Sequence, residues 1–131
     1  MKQIVNLGIY KTEAIVLGYR VLGEADKILT LFSPQRGKIH AVARGVRRPR
    51  SRLLGGTQLF THSNFLILEG RNLDNISQCE IKESFHTIRG NLEYMAYGLY
   101  FAELIRASTP LEEKNQELFK FLLKTQQVLQ G

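Results

Sequence analysis

The sequence is poor in cysteine and proline and has no long apolar run, and each shortage excludes a class of protein. Its single cysteine, Cys79, cannot form an intramolecular disulfide or a cysteine-rich zinc cluster, and it is compatible with a reducing compartment. With three prolines, 44% hydrophobic residues and no low-complexity tract, the chain has the composition of a globular protein. No segment approaches the roughly 18 consecutive apolar residues of a membrane span, and the first residues lack a signal-peptide cleavage site. We therefore expect a cytoplasmic protein without a membrane partner.

Acidic residues are also missing from one long stretch. Between Asp26 and Glu69 there is none, whereas eight basic residues occur there. Residues 1–83 carry 13 Lys and Arg against 7 Asp and Glu, a net charge of +6, and residues 84–131 carry 5 of each. This asymmetry favours a polyanionic partner such as nucleic acid. A solvated surface that happens to be basic is the simpler alternative.

The first part of the chain has the pattern of a small all-β unit. Short runs of β-branched and aromatic residues alternate with turn signals such as Ser33-Pro34-Gln35-Arg36-Gly37. The predicted strands cover residues 12–21, 26–33, 37–45, 57–69 and 75–84. The pattern predicts an α+β protein in which an N-terminal five-stranded OB-fold β-barrel, residues 1–84, precedes a short α-helical segment, residues 85–131. An SH3-like barrel would give a similar strand pattern.

The helical segment has two predicted helices. A 3.6-residue period predicts the first over residues 88–107, with an apolar face formed by Leu92, Met95, Ala96, Leu99, Ala102 and Ile105. The second is predicted to begin at a capping box in which Thr109 is the N-cap, Pro110 the first helical residue and Glu112 the third. Its apolar stripe is wider than one helix partner would cover. The stripe either packs on the barrel or belongs to a longer helical domain.

The basic residues are densest between positions 36 and 52. Alternation along the third strand places Ile39, Ala41 and Ala43 on one face and Lys38, His40, Val42 and Arg44 on the other. The chain then enters an arginine-rich loop, in which Pro49 disfavours regular structure. Guanidinium groups bind phosphate oxygens in bidentate fashion, so this region is the predicted nucleic-acid site. Its candidate residues are Lys27, Arg36, Lys38, Arg44, Arg47, Arg48, Arg50 and Arg52.

Aromatic side chains of OB-type surfaces stack on nucleic-acid bases, and Tyr10 and Tyr19 are the candidates for this role. Phe32, Phe60 and Phe65 are expected to fill the core, because a barrel this small needs large apolar side chains.

Residues for catalysis or metal binding do not form a recognisable pattern. His40, His62 and His86 are scattered and match no H-x-E or H-E-x-x-H motif. Cys79 fits a small core residue, and a β-turn accounts for Glu24 and Asp26 without a metal. We expect no enzymatic activity, no metal and no cofactor.

Several short motifs, in this order and spacing, resemble the N-terminal domain of the bacterial DNA repair protein RecO family. They are Gly23-Glu24-Ala25-Asp26-Lys27, Leu29-Thr30-Leu31-Phe32-Ser33, Gly37-Lys38, Ala41-Val42-Ala43-Arg44-Gly45-Val46-Arg47 and Ser51-Arg52-Leu53, with Leu59-Phe60 beyond. Residues 99–104, with Asn115, Leu118, Phe119, Leu122 and Leu123, are similar to the first two helices of the family's second domain. The resemblance covers about residues 10–130.

The resemblance implies an OB-fold domain followed by a helical domain, and a role in recombinational repair at the nucleoid. It implies binding and annealing of single- and double-stranded DNA, and cooperation with RecR in helping RecA to displace single-strand-binding protein. Family members are longer, and some carry a four-cysteine zinc site that this chain lacks, so zinc is not expected. The helical domain is expected to be incomplete, which leaves open the contact with single-strand-binding protein. Two alternatives remain: a module that grips an acidic protein tail, and an RNA-binding OB protein.

Overall fold

A computed structural model describes residues 8–111 and 113–131 of the chain. Within them the chain forms five strands and then three helices: β1 Ile9–Leu22, β2 Asp26–Ser33, β3 Gly37–Ala43, β4 His62–Leu68, β5 Asp74–Glu83, α1 His86–Arg89, α2 Leu92–Ser108 and α3 Gln116–Leu129. The fourth strand is shorter than predicted, because residues 55–57 form a 3-10 turn and Phe60 takes a left-handed conformation with a φ of 71°.

The strands close into a barrel in the order β1-β2-β3-β5-β4. Strand β1 is long enough to pair with two neighbours, with β4 through its first half and with β2 through its second. All pairings are antiparallel except that of β3 with β5, which is parallel and joins Ala41 to Asp74 and Val42 to Asn75. This is the predicted five-stranded Greek-key barrel of the OB class, followed by a helical segment.

The barrel interior is filled by apolar side chains from all five strands. Ile39, Ala41 and Ala43 of β3 point into it, as the alternation predicts, together with Phe65 and Ile67 of β4. Val46 and Leu53, which lie beyond the end of β3, belong to the same cluster. The chain after β3 is therefore anchored in the core at two points.

A second apolar cluster lies on the outer face of the barrel and joins it to the helices. Phe32 of β2 is fully buried, and its ring centroid is 6.1 Å from that of Phe119 in α3. Ile15 and Leu17 of β1 and Ile105 of α2 complete this side of the cluster. The helical segment thus packs on the barrel, which is one of the two arrangements expected from its wide apolar stripe.

The predicted apolar face of α2 is confirmed at Ala102 and Ile105, which are buried, and is wrong at Leu92 and Leu99. Leu92 and Leu99, both assigned to that face, are 89% and 46% exposed, and the buried residues of α2 are Gly98, Ala102 and Ile105. The cause is the glycine: a Cβ at Gly98 would lie 2.7 Å from the ring of Phe60, so the helix approaches the barrel at that point.

The predicted start of α3 is also wrong. The helix begins at Gln116, and its N-cap is Asn115, whose side chain accepts a 3.0 Å hydrogen bond from the Leu118 amide. Thr109 follows the end of α2 instead, and its hydroxyl donates to the Ile105 carbonyl at 2.6 Å. Glu112, the third residue of the predicted capping box, lies outside the described residues.

Polar contacts reinforce the junction between barrel and helices. The Arg89 guanidinium donates to the carbonyls of Leu59 and Ser84 at 2.8 and 2.6 Å, and burial lowers the pKa of this arginine. The amide nitrogen of the buried Gln126 donates to the Phe60 carbonyl at 2.9 Å. None of the helices in the described ranges is long and apolar enough to cross a membrane.

Candidate nucleic-acid interface

The connection from β3 to the 3-10 turn, residues 44–54, carries five of the predicted site residues and is called the basic loop below. Val46 and Leu53 fix it to the barrel, since they are only 1% and 8% exposed. Between these anchors the backbone turns on itself, and the Arg48 and Ser51 amides donate to the carbonyls of Gly45 and Arg48. The loop is consequently held at both ends, with its arginines between them on the surface.

The turn between β1 and β2 holds the start of the basic loop. The Asp26 carboxylate accepts a 2.7 Å hydrogen bond from the Gly45 amide, which helps to fix the left-handed conformation of that glycine. The Arg47 amide donates to the Ala25 carbonyl at 2.9 Å, and its guanidinium donates to the Gly23 carbonyl at 3.0 Å. The interpretation of Glu24 and Asp26 as part of a turn was therefore incomplete, because Asp26 also positions the loop.

The arginines of the basic loop differ in how far their donors are already used. Arg44 lies 3.7 Å from the Asp26 carboxylate and donates to the Asn75 side chain at 3.2 Å, although its own side chain is 69% exposed. Arg48, Arg50 and Arg52 are exposed, and in the described part of the chain they have no side-chain hydrogen bond or ion pair. These three residues have the greatest capacity to bind an anion.

Lys27 and Tyr19 lie together on the β1–β2 hairpin, whose turn contacts Arg47. The Lys27 ammonium is 4.0 Å from the centroid of the Tyr19 ring, and Tyr19 is 49% exposed. A cation over a tyrosine ring is a favourable contact, and the ring retains exposed surface. This geometry is compatible with base stacking at Tyr19.

Arg36, Lys38 and Tyr10 are separated from the basic loop. Arg36 lies in the β2–β3 turn, 3.5 Å above the Tyr10 ring, while the Tyr10 hydroxyl donates to Asp74 at 2.6 Å. Lys38 is at the start of β3, about 20 Å along the strand from Arg44 at about 3.3 Å per residue. Both tyrosines have a cation over one ring face, but Tyr10 is partly buried whereas Tyr19 is 49% exposed, so Tyr19 is the better stacking platform.

Among the other aromatic residues, Phe32, Phe60 and Phe65 are at most 1% exposed, so their prediction as core residues is confirmed.

The histidines and the cysteine do not assemble into a metal site. No group of three potential ligands among His, Cys, Asp and Glu occurs within residues 8–111 and 113–131. Burial raises the pKa of the Cys79 thiol, which disfavours the reactive thiolate. His62 is buried beside Glu13, with 2.9 Å between its Nε2 and a carboxylate oxygen.

An open cleft of about 920 Å³ crosses β1, β4 and β5 on another side of the barrel. Its charged lining residues are Lys11, Glu13 and Glu80. One base against two acids does not suit a polyanion, so the basic loop remains the better interface.

Comparisons with known proteins agree on one family. Residues 7–85 match the family described as recombination protein O N terminal, and residues 89–131 match recombination protein O C terminal. The chain is 50% identical over 123 residues to the DNA repair protein RecO of Pelotomaculum thermopropionicum, which covers 94% of the chain and 48% of that relative. For the DNA repair protein RecO of Symbiobacterium thermophilum the identity is 44% over 125 residues, 95% of the chain and 49% of the relative. The chain spans about half the length of these curated relatives.

Proposed function

Because the chain belongs to the recombination protein O family, we propose that its barrel binds the DNA backbone during recombinational repair and performs no catalysis. The observation that carries the proposal is the basic loop. Three exposed arginines without partners in the described residues, Arg48, Arg50 and Arg52, stand on a loop that two core residues hold in place. Because the loop backbone is already held in place, binding orders only the arginine side chains, and their guanidinium groups suit phosphate oxygens in bidentate fashion.

The remaining predicted residues take supporting roles in this proposal. Arg44 and Arg47 contribute positive charge while they also fix the loop, since both already contact protein groups. Lys27 contacts a phosphate next to a base stacked on Tyr19. Arg36 and Lys38 extend the positive surface toward the start of β3.

We further propose that the chain brings two DNA strands together and assists annealing. Neutralising two backbones on one basic surface lowers their mutual repulsion, which is the main electrostatic barrier to pairing. With RecR as a partner, the same activity would help RecA to replace single-strand-binding protein on DNA in the cytoplasm. In this proposal residues 1–84 provide the main DNA-binding surface, and residues 85–131 provide the surface for protein partners.

The test is a salt series of binding to a fluorescent single-stranded oligonucleotide by the unchanged chain and by Arg48→Ser/Arg50→Ser/Arg52→Ser. For single-stranded DNA the slope of log K against log salt is about −0.7 for each phosphate neutralised, so we expect the variant's slope to be shallower by about 2. Arg47 stays unchanged, because its hydrogen bond to the β1–β2 turn stabilises the loop. An unaltered slope in a folded variant would reject this site.

A matched variant, Arg48→Lys/Arg50→Lys/Arg52→Lys, controls for charge. Lysine keeps the charge but lacks the planar, bidentate donor group of arginine. We therefore expect the lysine variant to have nearly the salt slope of the unchanged chain but a lower affinity for DNA. The proposal that the chain assists annealing is tested with complementary oligonucleotides, whose pairing is detected by fluorescence quenching. The assay uses the unchanged chain, the serine variant and the lysine variant.

Two other partners fit exposed arginines: an acidic protein tail and RNA. Competition of an acidic peptide, and of RNA of equal sequence, against the bound oligonucleotide separates them. Displacement of DNA by the peptide at lower concentration than by unlabelled DNA would favour a protein-interaction module. A clear preference for RNA would favour an RNA-binding protein.

A further inference from the structure

Four basic side chains meet where the outer face of the barrel touches the end of α2, and they are called the seam cluster: Arg20, Lys38, His40 and Arg106. Cross-strand pairing sets Gly18, Thr30 and His40 in one row across β1, β2 and β3. Lys38 lies two residues before His40 on β3, and Arg20 lies two residues after Gly18 on β1, so both are on the same face as this row. Arg106 and His40 are distant in sequence and come together only in the fold.

The end of α2 is fixed over this row by two contacts. The Lys38 ammonium donates a 2.6 Å hydrogen bond to the Arg106 carbonyl. The Arg106 guanidinium lies across Gly18, where a Cβ atom would be 2.9 Å from its Nη1. The absence of a side chain at Gly18 therefore gives Arg106 its place beside the row.

The seam cluster is positively charged beyond what its own contacts neutralise. The pKa of His40 is lowered by the partial covering of its ring and then by the charges of Lys38, Arg20 and Arg106. The opposing groups are the Glu103 carboxylate, 3.8 Å from the Arg106 guanidinium and 69% exposed, and the partial negative charge of the α2 C-terminus. Thr30, which β2 contributes, is uncharged, so cations remain in excess.

Contacts within the protein explain the positions of Lys38 and Arg106 in the seam cluster, but not those of Arg20 and His40. Lys38 caps the end of α2, and Arg106 pairs with Glu103 on its own helix. Arg20 and His40 are exposed, and neither has a side-chain hydrogen bond or ion pair elsewhere in the described residues. Two donors that point at solvent beside two further cations form a surface suited to an anion.

We infer that the seam cluster binds a phosphodiester group of a nucleic-acid backbone, as a contact separate from the basic loop. The inference rests on the proposed function, because it takes DNA as the source of the phosphate. Lys38 and Arg44 are about 20 Å apart along β3, which is about six base-pair steps measured along the axis of duplex DNA. A backbone that followed β3 would reach both the basic loop and the helical segment. The helices thereby form part of the binding surface, with Arg106 as their contribution.

The first arm of the test uses the full chain and compares Arg20→Gln/Arg106→Gln with Lys120→Gln/Lys124→Gln. Lys120 and Lys124 are exposed residues of α3, so their variant removes the same charge elsewhere. In the salt series we expect the seam variant to lower the steepness of the slope by about 1.4, from two contacts at about 0.7 each. The lysine variant should leave the slope unchanged. Equal slopes in the two variants would overturn the inference.

The second arm needs no substitution and follows the His40 ring protons by NMR across pH. A short thymidine oligonucleotide should raise the pKa of His40, because phosphate favours the protonated ring. Inorganic phosphate is the control and should act only at much higher concentration. No response of His40 at saturating oligonucleotide, or an equal response to inorganic phosphate, would overturn a nucleic-acid site here.

Failure of the inference and failure of the proposed function give different results. No binding of DNA by the unchanged chain would overturn both. A steep slope that falls in the basic-loop variant but not in the seam variant would overturn this inference alone.

Discussion

Replacing one phenylalanine of α3 tests whether the helices and the barrel form a single cooperative unit. Phe119 is 3% exposed and lies against Phe32 of the barrel, while its ring centroid is 5.6 Å from that of His62. Truncating a buried phenylalanine to alanine costs about 3–5 kcal/mol, because transfer energy is lost and a cavity remains. We expect Phe119→Ala to lower the free energy of unfolding by that amount.

The expected shift in melting temperature follows from the length of the chain. At about 2.1 cal/mol/K per residue, unfolding of 131 residues has an entropy of about 0.28 kcal/mol/K. A loss of about 4 kcal/mol then lowers Tm by about 15 °C. Circular dichroism should report one transition in both proteins, and hydrogen exchange at the Leu31 and Phe32 amides should quicken in the variant, because the barrel shares the cluster.

Phe121 is the matched control, since it lies on the same helix but is 57% exposed. Its contact with Phe101, at 6.4 Å between ring centroids, is worth about 1 kcal/mol, so Phe121→Ala should lower Tm by about 4 °C. Equal losses in the two variants, or unchanged exchange in β2 of Phe119→Ala, would refute the shared cluster.

Two further predictions concern pH and backbone conformation. Burial lowers the pKa of His62 against the opposing effect of Glu13, so the folded protein protonates this ring at a lower pH than the unfolded chain, in which the pKa is about 6.5. The unfolded state then binds more protons, so the free energy of unfolding falls as the pH drops. Because His62→Gln keeps an N–H for Glu13 but cannot be protonated, its urea midpoint should fall less between pH 7 and pH 5. An equal fall in both proteins would contradict the role of His62 in this pH dependence. Gly37 has a φ of 70°, and a Cβ there would lie 2.1 Å from the Glu113 carbonyl oxygen, whereas Gly23 has a φ of 62° with nothing within 4 Å. Gly37→Ala should cost more than Gly23→Ala by about 1–3 kcal/mol in urea denaturation, and equal costs would show that the Glu113 contact is not limiting.

The barrel could be predicted from the sequence because its signals are local. The alternation of Ile39, Ala41 and Ala43 and the turn that ends at Gly37 depend on residues a few positions apart. The rotation of α2 could not be predicted in this way. Gly98 has no hydrophobic side chain, and its burial follows from the position of Phe60, 38 residues earlier in the chain.

The candidate interface shows the same division between local and distant effects. The density of arginines in the basic loop is visible in the sequence, but their different availability is not. Arg44 is partly occupied because Asn75 of β5 lies beside it, and Lys38 is occupied because α2 ends above it. The role of Arg106 was missed because the charges of the helical segment are balanced in number, and only folding places this residue beside His40.

The short pairing between β3 and β5 has a consequence for biosynthesis. β5 pairs with β3 at Ala41 and Val42, and near the start of β3 Lys38 pairs instead with Leu111, in the connection between α2 and α3. A nascent chain that has completed the barrel residues but not yet released residue 111 from the ribosome leaves that stretch of strand edge uncovered. Open strand edges recruit other chains and seed aggregation. We therefore expect the connection between α2 and α3 to reduce self-association of the barrel, because it covers this edge at Lys38.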